Sequence, residues 1–169
     1  MSEGIKHDKD KVDRTLIDPE IYSELKEYLR VTRGDNKYKK DSFSDVVVIL
    51  ENLISKKMYI YAVVVAINTG NGSIEEILKI YGEGAVKYTR HNWKGVRPID
   101  RYLAAAYRHM KVGINTDDFG VSHMAHFCWN MIAMRWFEKN AISTESDIAD
   151  REVIAKEIND EKKRSSGEG

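Results

Sequence analysis

His123-Met124-Ala125-His126-Phe127-Cys128-Trp129-Asn130-Met131-Ile132-Ala133-Met134-Arg135-Trp136-Phe137-Glu138 is the most apolar stretch of helical periodicity in the chain, and Ser122 stands before it as an N-cap. A helix that is apolar almost all round is normally buried. With long stretches of the chain in helical rather than alternating periodicity, the expected fold is a compact helical bundle assembled around this segment. Three polar side chains fall on one face of it: His123, His126 and Asn130, at i, i+3 and i+7, share one stripe. Burying them costs several kcal/mol unless something satisfies them.

Immediately upstream, residues 99–112 read as a helix, with Asp100 near its start, Arg108-His109 in its last turns and Gly113 just past its end. The short loop Ile114 to Val121 carries Asp117, Asp118 and Gly120. Two histidines one turn apart, facing Arg108-His109 and an acidic loop, point to a bound metal or a polar substrate. The alternative is a pair of core histidines bonded to their own protein. Imidazoles suit zinc, manganese or iron, and carboxylates suit magnesium or manganese, so the donor types leave the metal open. No HExxH or cysteine-rich zinc signature occurs.

Further upstream, Ser73 with Glu75 and Glu76 marks another helix start, and Gly82-Glu83-Gly84 is read as a turn dividing that helix from the segment after it. Lys87-Tyr88 and Arg90-His91-Asn92-Trp93 then set cations and aromatic rings beside flexible glycines. This suits a nucleotide, because cations neutralise phosphate, rings stack on a base and an amide reads an edge. The competing reading makes Trp93 a core plug and leaves Lys87 solvated. Pro19, with Asp18 as N-cap, opens a helix that buries Ile21, Leu25, Tyr28 and Leu29 and fails near Gly34-Asp35-Asn36. From Ser42, the spacing of Phe43, Val47, Leu50 and Ile54 predicts a second helix. The runs Val46-Val47-Val48 and Val63-Val64-Val65 keep a strand in competition with helix.

The 169 residues fit one domain. Residues 1–140 read as a single helical nucleotide-binding domain, and 141–169 as a charged C-terminal helix with a frayed tail. Twenty-seven basic and 27 acidic side chains balance, which argues against a protein that coats nucleic acid. A lone Cys128 excludes an internal disulfide. The charged start MSEGIKHDKDK is no secretory signal, and the longest apolar run, Met58 to Ile67, is too short to span a bilayer. A soluble cytoplasmic protein without membrane partners is expected. Walker, GxSxG and GxGxxG signatures are absent.

Four motifs occur in order: Lys6-x-Asp8-x-x-Lys11, Gly84-Ala85-Val86-Lys87-Tyr88 with Asn92-Trp93, Arg101-Tyr102 with Arg108-His109, and Gly120-x-x-His123-x-x-His126-x-x-x-Asn130. Together they resemble the phage-encoded dATP/dGTP diphosphohydrolase-like family, related to MazG-like all-α nucleoside triphosphate pyrophosphohydrolases. The resemblance covers residues 4–19 and about 74–137, with a helical insertion at about 38–71 between the N-terminal and GAVKY motifs. It implies an all-α fold and metal-dependent hydrolysis of a purine deoxynucleoside triphosphate to a monophosphate and pyrophosphate, by a homo-oligomer in the host cytoplasm. Lys6, Lys11, Lys87 and Arg108 are then candidates for phosphate binding, Asp8 for substrate binding, and Tyr88, Asn92, Trp93 and Asn130 for sugar and base. The implied catalytic groups are His109, Asp118 and His126. The implied ligands for magnesium, manganese or zinc are His109, Asp118, His123, His126 and Glu83. A phage protein that sequesters a nucleotide without hydrolysing it is the alternative. MazG-type ExxE and ExxD pairs are missing from the helices concerned, and HxxH stands instead.

Overall fold

Four of the α-helices begin where the sequence supplies a capping side chain. In the computed structural model, which describes residues 13–32, 42–88, 90–113, 115–143, 159–161 and 163–164, Asp18 Oδ1 accepts hydrogen bonds from the backbone N–H of Glu20 and Ile21 at 3.0 and 3.1 Å. Pro19 takes the first helical position, and α1 runs Pro19–Val31. Ser42 caps α2 (Phe43–Ser55), Ser73 caps α4 (Ile74–Lys87) and Ser122 caps α6 (His123–Lys139). Between them lie α3 (Tyr59–Asn68) and α5 (Asp100–Val112), with 3₁₀ turns at Arg14–Leu16 and Asn92–Gly95. The described residues are helix and loop, with a single isolated bridge between Thr116 and Ser122. The fold is all-α.

Both valine runs are helical. In α2, Val46, Leu50 and Ile54 bury one face; in α3, Ala62 through Ala66 are all buried. A β-branched residue loses only a few tenths of a kcal/mol in helix propensity, whereas burying its side chain stabilises by about 1.5–3 kcal/mol. Packing therefore decides the local conformation. The same balance corrects the turn expected at Gly82-Glu83-Gly84: α4 continues through both glycines to Lys87. The helix is held by Ile77, Leu78 and Tyr81, all buried on its inner face.

Helix α6 is the hub, packing against α5, α3, α4 and α1. Phe127, Met131, Ile132 and Phe137 are almost fully enclosed. Lys139 near its end pairs with Asp18 at 2.9 Å, and Arg135 with Glu24 at 3.2 Å, which fixes α1 against it. The hairpin α2–α3 occupies the stretch read as an insertion and lays the buried side of α3 on α6, closing the core within one chain. Gly113 ends α5 at φ +76°, where a Cβ would stand 2.8 Å from the Phe43 ring, so conformation and space both require glycine. The C-terminal helix expected in 141–169 lies largely outside the described residues.

Candidate functional site

Between α4, the Asn92–Gly95 turn, α5 and α6 lies a cleft of about 540 Å³. Helical spacing builds its walls. His126, Trp129 and Asn130 come from one face of α6, Tyr102 and His109 (two turns apart) from α5, and Tyr81, Gly84 and Tyr88 from α4 and its cap.

At one end the imidazoles gather. His109 and His126 stack with ring centroids 4.7 Å apart and planes 13° from parallel. His109 Nδ1 lies 2.9 Å from His123 Nδ1, so one ring donates to the other. Burial, reinforced by neighbouring His126, His123 and Arg108, lowers the His109 pKa to about 4 and keeps that ring neutral at ordinary pH. His126 Nε2 is 2.8 Å from Asp117 Oδ2. The other Asp117 oxygen accepts from the backbone N–H of Phe119 and Val121 at 2.8 and 3.0 Å. Burial pushes this carboxyl up, but the His126 contact and the two backbone donors outweigh it and hold the pKa below the usual range. The result is an anchored carboxylate aligned on an imidazole that faces the cleft.

The other end is aromatic. Trp93 meets Tyr81, Trp129 and Trp136 edge-on, with centroids 6.0, 5.9 and 5.4 Å apart. Tyr102 donates its hydroxyl to the Trp93 carbonyl at 2.6 Å, fixing the turn that carries the indole. Tyr81 Oη, His91 Nδ1, Trp93 Nε1 and Trp129 Nε1 are buried with no hydrogen-bond partner among the described residues, and all four side chains line this one cleft. Each such group carries a penalty of about 1–3 kcal/mol. His91 also holds a left-handed backbone at φ +64°, a conformation unusual outside glycine.

Of the residues singled out from the sequence, the structure brings Tyr88, Asn92, Trp93, His109, His126 and Asn130 to the cleft. His123 stands behind His109 instead of lining it. Asn130 spends its amide on the His126 carbonyl at 2.7 Å, a bond within its own helix. Lys87, Glu83, Arg108 and Asp118 are exposed and line no part of the cleft. Lys87 instead lies 5.3 Å from the Tyr88 ring centroid. Lys6, Asp8 and Lys11 fall outside the described residues. Asp117 takes the position beside His126 that the sequence reading gave to Asp118. Turn chemistry was the available signal: aspartate at the first position and glycine at the fourth, Asp117 to Gly120, is the pattern in which the first side chain turns inward onto backbone N–H groups. Arg101, a cation of the lining, stands in the Arg101-Tyr102 motif with no role assigned to it there, and nothing local in the sequence sets Tyr81 or Trp129 apart from core aromatics.

Among the described residues, no three histidine, cysteine, aspartate or glutamate side chains are arranged to hold a metal ion. His109 and His123 spend facing nitrogens on each other, and His126 spends one on Asp117. As placed, this donor set does not fit a resident metal centre.

Residues 65–147 match the family described as dATP/dGTP diphosphohydrolase, N-terminal. Over this segment the chain is similar to that family. The matched segment includes every residue of the cleft except Leu16. Among curated proteins and solved structures, none matches the chain. No helix among the described residues is long and apolar enough to cross a membrane.

Proposed function

We propose that the protein hydrolyses purine deoxynucleoside triphosphates to the monophosphate and pyrophosphate, with the base in the aromatic half of the cleft and the phosphates toward the histidines and Arg101. The observation that carries this reading is the Asp117–His126 pair opening onto a cleft within the size range of small-ligand sites. Asp117 accepts the Nε2 proton of His126 and so leaves Nδ1 as the basic nitrogen, free to take a proton from water. The water oxygen bonds to the α-phosphorus, the bond from that phosphorus to the α,β-bridging oxygen breaks, and pyrophosphate leaves with the electron pair. Neutral His109 stacks on His126 and adds no positive charge at that end of the cleft.

In this proposal the divalent cation, magnesium or manganese, enters as the counter-ion of the triphosphate, since the side chains described do not form a cage for it. The N-terminal lysines belong to the same reading. Arg90 bonds to Asp13 at 2.9 Å and to Thr15, and Leu16 lines the cleft, so the first described residues lie beside the site. Self-association is part of it as well: exposed Val48, Val86 and Phe119 offer apolar surface for a second copy to cover.

The test is incubation with each deoxynucleoside triphosphate and magnesium or manganese, followed by assay for pyrophosphate. Release from dATP or dGTP that His126→Ala abolishes is expected. A non-catalytic nucleotide binder is favoured by one feature, the mutual occupation of His109 and His123, and tight binding without turnover in the wild-type protein establishes it instead.

A further inference from the structure

Gly84 occupies an interior position of α4 with ordinary helical backbone, where alanine is the better helix former. Packing does not require the glycine: a Cβ built there meets no atom within 4 Å. Gly82 on the same helix is equally unconstrained, but only Gly84 lines the cleft. The fold therefore gives no reason for a missing side chain at 84, while the space its Cβ would take belongs to the cavity. One turn earlier on the same wall, Tyr81 is 4% exposed, and its hydroxyl lacks a partner among the described residues. One turn later stands Tyr88. A bare backbone patch between two aromatic side chains, with an unpaired donor beside it, suits a flat heteroaromatic ring lying against the helix.

We propose that Gly84 is a size gate for the base, leaving room for the second ring of a purine that a side chain at this position would exclude. This rests on the nucleotide reading above and assigns it a selectivity determinant. A pyrimidine, one ring smaller, does not need the volume.

The experiment compares wild type, Gly84→Ala and Gly82→Ala by kcat/KM on dATP, dGTP, dCTP and dTTP with magnesium, and by thermal melting. Where the wild type binds without turnover, dissociation constants for the same four nucleotides replace kcat/KM. Gly84→Ala is expected to melt no lower than wild type. It should lose about tenfold or more on both purines and less than about threefold on pyrimidines, the scale on which one carbon discriminates in a fitted pocket. Gly82→Ala should leave all four substrates unchanged. Equal losses on purines and pyrimidines, no loss on any substrate, or a lowered melting temperature for Gly84→Ala overturns the gate. A wild-type protein that neither binds nor turns over any of the four overturns the nucleotide reading itself, a result distinct from an inert Gly84→Ala.

Discussion

Acidification should destabilise this protein through His109 before the carboxylates begin to titrate. The His109 pKa falls from its ordinary 6.5 to about 4, first because the ring is buried and then because His126, His123 and Arg108 surround it. An unfolded chain binds a proton at this position below about pH 6.5, whereas the folded one resists until about pH 4. Stability from His109 is thus fully present above about 6.5 and is lost as pH falls toward 4. At about 1.4 kcal/mol per pKa unit the loss has a ceiling of ~3 kcal/mol, and partial solvent access reduces it to about 1–2 kcal/mol. The measurement is urea unfolding of wild type and His109→Gln from about pH 7.5 to 4.5. Glutamine does not titrate, so wild type should lose about 1–2 kcal/mol more than the variant across that window. His91, whose pKa is also lowered by burial and by Lys94 and Arg90, is present in both proteins and cancels. Parallel stability curves would refute a His109 held neutral by its surroundings.

The geometry sets two further outcomes. Asp117→Asn keeps an acceptor for the Phe119 and Val121 N–H groups but removes the charge beside His126, so pyrophosphate release should fall about 10²–10⁴-fold with nucleotide affinity little changed; single-turnover kinetics alongside equilibrium binding separates the two. Asp18→Ala removes the α1 cap and the Lys139 pair together and should cost about 1–3 kcal/mol in chemical unfolding without changing kcat.

Much of the helix map was legible because its signals are local. Asp18-Pro19, Ser42, Ser73 and Ser122 each cap the helix expected from them, and the all-round apolarity of α6 identified the element at the centre of the core. Gly82 and Gly84 misled because a turn propensity worth about 1 kcal/mol per residue competes with tertiary burial that a one-dimensional reading does not weigh. At the site, the imidazole stripe of α6 and the aromatic GAVKY-to-Trp93 segment pointed to the cleft. The choice between Asp117 and Asp118 depended on which way one turn folds, and the exposed positions of Lys87, Arg108 and Glu83 depended on helix rotation set by distant contacts. Tyr81 and Trp129 were indistinguishable in sequence from core aromatics, since only the surrounding cleft and their unpaired donors mark them out.

One helix supplies both the centre of the core and the histidine wall of the cleft. Backbone amides near His126 should therefore exchange with deuterium only when the whole molecule opens, while those of residues 115–121 exchange by local fluctuation. The imidazole is mounted on the buried helix, and its carboxylate partner sits on the loop before it. Adjusting the alignment of that pair, by natural drift or by design, is thus easiest through the loop, where a change leaves the centre of the molecule untouched.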